Sequence, residues 1–327
     1  MTVEVRQFRR DDREQLASLV NAHVGAVVPG MSVSVSRLLT HLEREPEEFI
    51  VDPWVVERVT LVAVQRARIA AAAHLQRYRS QPSVGESYRG AGGIRWFICW
   101  PNSRYRPEAS DAGDVLLGAC VAQLDRWGTS RQFADGSLPA PGVYGIPVQW
   151  PHVEAALERA GFEHQGRVEL IFVRDLEKLV REDPPLPRGV SIRRSLGGNG
   201  TRLAALVGEE EVGFIEVEAL GDAERLSRSA AWADIGNLFV NEQFRRRGIA
   251  TTLIQEAARW LRLAHVDRVL AYATPEEDAA IALYTANGFV ELTQTRRGWV
   301  RVRRSETEEG SPTDVVQGGT GGAASPQ

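Results

Sequence analysis

Residues 238–253 read L-F-V-N-E-Q-F-R-R-R-G-I-A-T-T-L: a β-rich run, three consecutive arginines, a lone glycine and an apolar start. The stretch 235–240 is rich enough in β-branched and aromatic side chains to be a strand. After Gly248 the spacing changes: Ile249, Leu253, Ala257, Trp260 and Leu261 form a stripe at helical period, with Thr252, Gln255, Glu256, Arg259 and Arg262 opposite, so 249–263 reads as a helix. The loop 241–248 then opens onto a helix N-terminus, where backbone amides lack partners and the positive end of the dipole emerges. An anion there meets donors already in place. Gly248 lets the backbone approach a ligand, Ala250 keeps the first turn open, and the guanidinium groups of Arg245, Arg246 and Arg247 add charge-assisted bonds to phosphate oxygens. The alternative is a plain basic connection with solvated arginines.

Working outward, a strand is expected over 268–274, then a short helix ending at Gly288, where glycine tolerates the left-handed conformation and Phe289 packs behind it. Upstream, 203–207 and 212–217 form a hairpin around G-E-E-E, preceded by a strand at 190–195. The same order recurs earlier: a hairpin of 59–64 and 69–78 around Q-R-A-R, a strand at 94–100, a helix at 114–127, and E-R-A-G-F at 158–162 standing where T-A-N-G-F stands at 285–289. The chain reads as two diverged copies of one α/β (α+β) plan, each a mixed twisted sheet flanked by helices. The proline-rich E-D-P-P-L-P-R-G at 182–189 reads as a semi-rigid linker between halves 1–181 and 190–304. The Gly-rich tail 305–327 buries too little surface to offset its ordering entropy and is expected to be disordered.

Bulk properties exclude several roles. The chain has 327 residues, 43% of them apolar, enough for two cores. Its formal net charge of -4 gives no general attraction to nucleic acid or anionic lipid. No apolar run is long enough to span a bilayer, and the start lacks the apolar core of a signal peptide, so a cytoplasmic protein is expected. Lys178 is the lone lysine, an imprint of GC-rich bacterial codon usage rather than of physics. Cys99 and Cys120 lie far from any histidine cluster and read as buried small hydrophobes, and the six histidines are scattered, so no metal is implied.

The pattern R245-x-x-G248-x-A250 after L238-F239-V240, followed by the amphipathic helix, the strand 268–274 and E277-D-A-A-I-A-L-Y284-T-A-N-G288-F289, resembles the acyl-CoA-binding signature of the GNAT N-acetyltransferase superfamily. The resemblance spans roughly 190–300 in detail and 1–180 only in outline, which implies a tandem GNAT protein with a degenerate first half. It implies acetyl-CoA as co-substrate, with pyrophosphate held by the amides of Arg245, Arg246, Arg247, Gly248, Ile249 and Ala250. The strand edge Leu238, Phe239 and Val240 would pair with the pantetheine arm and polarise the thioester carbonyl.

By the same resemblance Tyr284 is the phenol that protonates the departing thiolate, the alternative being a helix tyrosine packed on the sheet. Asp234 stands at the position of the catalytic carboxylate of histone-type members, although those carry the longer Glu, so a water would close the gap. A strand-end Asp meeting solvent or an arginine is the competing reading. Glu216 and Glu218 share a strand face and either collect a cationic acceptor or form an ordinary solvated face.

Departures from the family pattern also carry information. Glu277 replaces the usual Asn. Only L-G-G-N-G at 196–200 separates two strands where the family has a helix pair walling the acceptor site, so the cleft is either open or roofed by the first half. The first half keeps candidate helices at 13–23 and 36–44, but its S110-D-A-G-D114 helix start sets carboxylates where pyrophosphate would sit, and Leu157 replaces tyrosine. The expected partner is a small-molecule primary amine, attacked directly in a ternary complex. A non-catalytic acyl-CoA sensor and a nucleic-acid binder are the rivals, the latter opposed by the net charge.

Overall fold

A computed structural model describes residues 2–43, 53–102, 109–129, 131–136, 138, 142–180, 187–198, 200–220 and 231–302. Most of the expected linker and the tail 305–327 lie outside them. The first half runs β1 (Glu4–Gln7), α1 (Arg13–Val27), α2 (Val35–Leu42), β2 (Val55–Gln65), β3 (Arg68–Tyr78), β4 (Gly92–Cys99), α3 (Ala109–Arg126), β5 (Arg131–Ala134), β6 (Ile146–Pro147), α4 (Pro151–Arg159), β7 (Glu163–Asp175) and α5 (Leu176–Leu179). The second runs β8 (Val190–Gly197), β9 (Gly200–Val207), β10 (Glu210–Ala219), β11 (Trp232–Val240), α6 (Ile249–Leu263), β12 (Arg268–Ala273), α7 (Asp278–Ala286) and β13 (Val290–Val302). The helix pair between the first two strands of the first half has no counterpart between β8 and β9, which form a hairpin with Gly197 opposite Gly200.

These strands form one continuous sheet in the order β1-β2-β3-β4-β5-β13-β7-β12-β11-β10-β9-β8, with β6 beside β13. The halves exchange their last strands. β13 pairs with β5 of the first half, β7 pairs with β12 of the second, and the two exchanged strands pair antiparallel with each other at the centre. Side-chain alternation sends β7 into both interiors: Leu170 and Phe172 enter the second core, and Ile171 enters the first. β13 delivers Trp299, 1% exposed, to the first core. In return Trp232 and Leu270, on β11 and β12, are buried in the first core, so the first half covers one face of the second half's sheet there.

On the other face α6 buries Ile249, Leu253, Ile254, Ala257, Ala258 and Leu261 against Leu203, Ala205, Ile215, Val217, Ala233 and Ile235. Each large side chain buried in this way contributes about 1.5–3 kcal/mol. No helix among the described residues is long and apolar enough to cross a membrane.

Candidate functional site

The strands β11 and β12 are parallel neighbours over only Trp232–Asp234 and Arg268–Leu270. Beyond that both continue unpaired to each other, so they splay, and among the described residues one edge of β11 is free over 235–240, including Leu238, Phe239 and Val240. A bulge accentuates the divergence: Glu216 lies opposite Asn237 and Val217 opposite Ile235, which leaves Gly236 as the extra residue. Leu238 and Val240 pack on the second core, while Phe239 turns to the opposite face, half exposed against Phe214 at 5.9 Å between ring centres.

At the end of β11 a single 3₁₀ turn, 242–244, is capped by Asn241, whose Oδ1 accepts from the Gln243 amide. The chain then alternates in hand. Arg245 is extended, Arg246 is left-handed at φ 63°, and Gly248 is left-handed at φ 82° immediately before the right-handed α6. This alternation turns successive amides into one concavity, an anion-binding nest set on a helix N-terminus. Among the described residues no backbone carbonyl accepts from the amides of 246–251, and Gly248 as N-cap offers no side chain to satisfy them. A Cβ on Gly248 would meet nothing nearer than Pro187 Cγ at 4.0 Å, so the φ angle rather than crowding requires glycine.

Two of the three arginines also make contacts within the loop. Arg245 Nε donates to the Val240 carbonyl at 3.1 Å and braces the turn, and Arg247 lies 5.2 Å over the Phe244 ring. The nest itself is made by backbone, as main-chain donors fixed in place require no side-chain ordering.

Tyr284, on α7, is 5% exposed between Phe172 and Phe289, with ring centres 5.7 and 5.6 Å away. Burial, then the charge of Glu277, pushes its phenol up to about 12, so it remains protonated at neutral pH. Glu277, in the place of the usual Asn, spends its Oε2 accepting from the Thr274 amide at 2.7 Å. Asp234 lies on the opposite face, level with Leu270 and Tyr272, where its carboxyl is pushed up to about 6, first by burial and then by Glu218. A ligand threaded between β11 and β12 would therefore have Asp234 on one face and Tyr284 on the other.

Two expectations need correction. Glu216 is not a solvated or acceptor-collecting carboxylate: it is 5% exposed and accepts from Asn237 Nδ2 at 3.0 Å and Arg202 Nη1 at 3.1 Å, which hold its pKa below the usual carboxylate range. Asp114 does not cap α3. The described part of that helix is Ala109–Arg126, with Asp111 the carboxylate of its first turn, and Asp114 is ion-paired with Arg159 at 2.8 Å.

The first half closes its equivalent opening by another device. β4 and β5 also pair in parallel for three residues, Gly92–Ile94 with Gln132–Ala134, before parting. Cys99 stands as far beyond Ile94 as Phe239 stands beyond Asp234, and its carbonyl oxygen is met at 3.0 Å by the imidazoles of both His23 and His152. Trp150 Nε1 donates to the His23 carbonyl at 3.1 Å and completes the plug.

Sequence reading missed Tyr272, Gly142 and Tyr144. The Tyr272 hydroxyl lies 2.8 Å from the Gly142 carbonyl oxygen and 3.3 Å from Asp234 Oδ2. Tyr144, on the same first-half loop as Gly142, has its phenol pushed up by burial and then by the charges of Asp234 and Glu218. Nothing in the surrounding P-A-P-G-V-Y-G-I-P signals this meeting, because the partners come from the other half.

Residues 171–289 match the family model of the acetyltransferase (GNAT) family. No curated protein matches the chain. Among solved structures, a tandem GNAT protein from the clavulanic acid biosynthesis pathway superposes with TM-score 0.61 at 15% identity, over 91% of this chain and 97% of that one. A GCN5-related N-acetyltransferase from Sphaerobacter thermophilus gives TM-score 0.57 at 15% identity, over 91% and 94%. A GCN5-related glucosamine N-acetyltransferase region of a fungal multi-domain β-N-acetylglucosaminidase gives 0.58 at 14% identity, over 91% of this chain and 38% of that one. At such identities the likeness is one of fold.

Proposed function

We propose that the chain transfers an acetyl group from acetyl-CoA to a primary amine of a small molecule by direct attack, a reading supported by the match of residues 171–289 to the GNAT acetyltransferase family model and by the tandem GNAT fold. The observation that carries this reading is the nest of unpaired amides at 246–251 standing beside the free edge of β11. The donor set suits a pyrophosphate, and the strand edge suits the amide-bearing arm attached to it. Acetyl-CoA, when bound, supplies an activated thioester.

This chain's own residues do the rest. The amides of Arg246, Arg247, Gly248, Ile249 and Ala250 seat the phosphates, while Arg245 braces the turn through Val240. The edge at Leu238, Phe239 and Val240 orients the arm and offers a backbone donor to the carbonyl oxygen. Asp234 takes the proton from the attacking amine, and its raised pKa suits a base that must also release that proton near neutrality. Tyr284 holds a proton at its phenol oxygen for the departing sulfur.

We read 190–304 as the cofactor-binding half and 1–181 as a half that binds no acetyl-CoA, because His23 and His152 occupy the Cys99 carbonyl on the matching strand edge. Calorimetry is expected to give one equivalent of acetyl-CoA, and CoA release should appear with a member of a panel of small amines, glucosamine and aminoglycosides. Tyr284→Phe should lower kcat about 100-fold or more with little change in acetyl-CoA affinity. Failure to bind acetyl-CoA at millimolar concentration would overturn the proposal, and two equivalents would overturn the assignment of the first half. An unchanged kcat in Tyr284→Phe would remove that residue's role.

A further inference from the structure

The Tyr272 hydroxyl has one proton and two oxygen neighbours, the Gly142 carbonyl at 2.8 Å and Asp234 Oδ2 at 3.3 Å. A carbonyl oxygen only accepts, so the shorter contact uses the phenolic proton. Toward Asp234 the phenol then presents lone pairs, and that contact is favourable when the proton comes from the carboxyl. With Asp234 protonated, a chain runs from its O–H to the Tyr272 oxygen and from the Tyr272 O–H to the Gly142 carbonyl. With Asp234 ionised, two acceptors compete for one proton, and the charged one forms the stronger bond.

We propose that Tyr272 is a positioning residue that couples the charge state of Asp234 to the seating of the first-half loop 142–145 against the acceptor side of the site. This rests on the reading of Asp234 as the base and adds what its proton does next. The loop backbone lies directly on the second half: a Cβ on Gly142 would stand 2.5 Å from Leu270 Cδ1 and 2.9 Å from Leu220 Cδ1. Gly142 and Gly145 both have φ near the left-handed region, at 81° and 92°, so the loop reaches this contact through two turns that only glycine makes cheaply. Lacking a side chain at the contact, Gly142 is held by its carbonyl.

Among the described residues the groups around Asp234 are Glu218 from β10, Tyr272 from β12 and Tyr144 from the loop; Glu169 of β7 acts on Tyr272, and Arg297 of β13 and Arg95 of β4 act on Tyr144. Arg297 Cζ lies 5.7 Å from the Tyr144 ring centre and 3.6 Å by its Nη1 from Glu169 Oε1. With Arg297 beside Tyr144 and Glu169, and Arg95 paired with Asp135 at 2.8 Å, Asp234 faces an ionisable carboxylate and two phenols. In the cycle, a proton leaving the amine nitrogen goes to Asp234 and fastens the loop. When that proton passes to solvent, Tyr272 turns to the carboxylate, the Gly142 carbonyl is freed, and the loop loosens.

The test is hydrogen–deuterium exchange of residues 142–145 in the full unliganded chain, corrected for intrinsic rate, between pH 5 and pH 8. In the unaltered protein, protection should fall several-fold as pH rises through about 6. Asp234→Asn supplies an N–H in place of the carboxyl O–H, so it should hold the loop protected at both pH values. Tyr272→Phe should leave it equally unprotected at both, with lower kcat and unchanged acetyl-CoA affinity. Protection that ignores pH in the unaltered protein, or that follows pH in Asp234→Asn, would overturn the coupling. Acetylation at the original rate by Asp234→Asn would instead remove Asp234 as base, and the exchange result would stand apart from that.

Discussion

The raised pKa that suits Asp234 to its proposed role as base also carries a stability cost. The folded protein holds the carboxyl proton more tightly than the unfolded chain, with the pKa moved from 3.8 to about 6. A pKa raised in this way contributes stability that is complete below the unfolded value and lost as pH rises through the folded one. Above that, the ionised group sits in a buried site at a cost of up to about 3 kcal/mol. Asp234→Asn should therefore lower turnover yet raise the unfolding free energy in urea at pH 8, with the gain vanishing near pH 4. An equal gain at both pH values would show that packing, not charge, is responsible. Asp234 itself was legible as a candidate because its strand and the loop after it are contiguous in sequence. Tyr272 was not legible, since its two partners lie in different halves and only the folded sheet brings them to one hydroxyl.

The strand, nest and helix at 232–263 form the element on which the reading turns, and their boundaries follow from local rules. The helix Ile249–Leu263 appears as the apolar stripe requires. The splay from β12 is a different matter, because the Gly236 bulge and the three-residue parallel pairing depend on what lies beside β11. Gly248→Ala separates conformation from crowding. The methyl group has open space, but an alanine at φ 82° costs about 1–2 kcal/mol, which shifts the loop away from the nest. Acetyl-CoA should bind about tenfold more weakly while the fold survives, since 1.4 kcal/mol is a tenfold change. An unaltered dissociation constant would mean that the phosphates sit elsewhere. Glu216 makes the converse point: its period-two placement was legible, yet its engagement by Arg202 and Asn237 required knowing which strands flank β10.

At the scale of the whole molecule, the exchange of β7 and β13 makes each half depend on the other. Without β13 the first half loses Trp299 from its core and leaves one edge of β5 bare; without β7 the second half loses Leu170 and Phe172 and leaves β12 as a raw edge. The full chain should therefore unfold in a single calorimetric transition, and a fragment of 187–302 alone should aggregate. Two well-resolved transitions, or a monomeric folded fragment, would contradict this dependence. The contact of loop 142–145 with the second half has the same origin: that half has no helix pair of its own between β8 and β9, and on the proposed reading the loop roofs the acceptor side.

The sequence by itself determined the repeated order of strands and helices, the amphipathic α6, and the glycine-led nest, because each depends on side-chain period, backbone φ and dipole within a few residues. The tertiary structure alone decided which last strand joins which sheet and which first-half groups meet Asp234. Either pairing satisfies the same alternation of side chains, so local physics is indifferent to the choice, and only the fit of the two cores around β7 and β13 selects it.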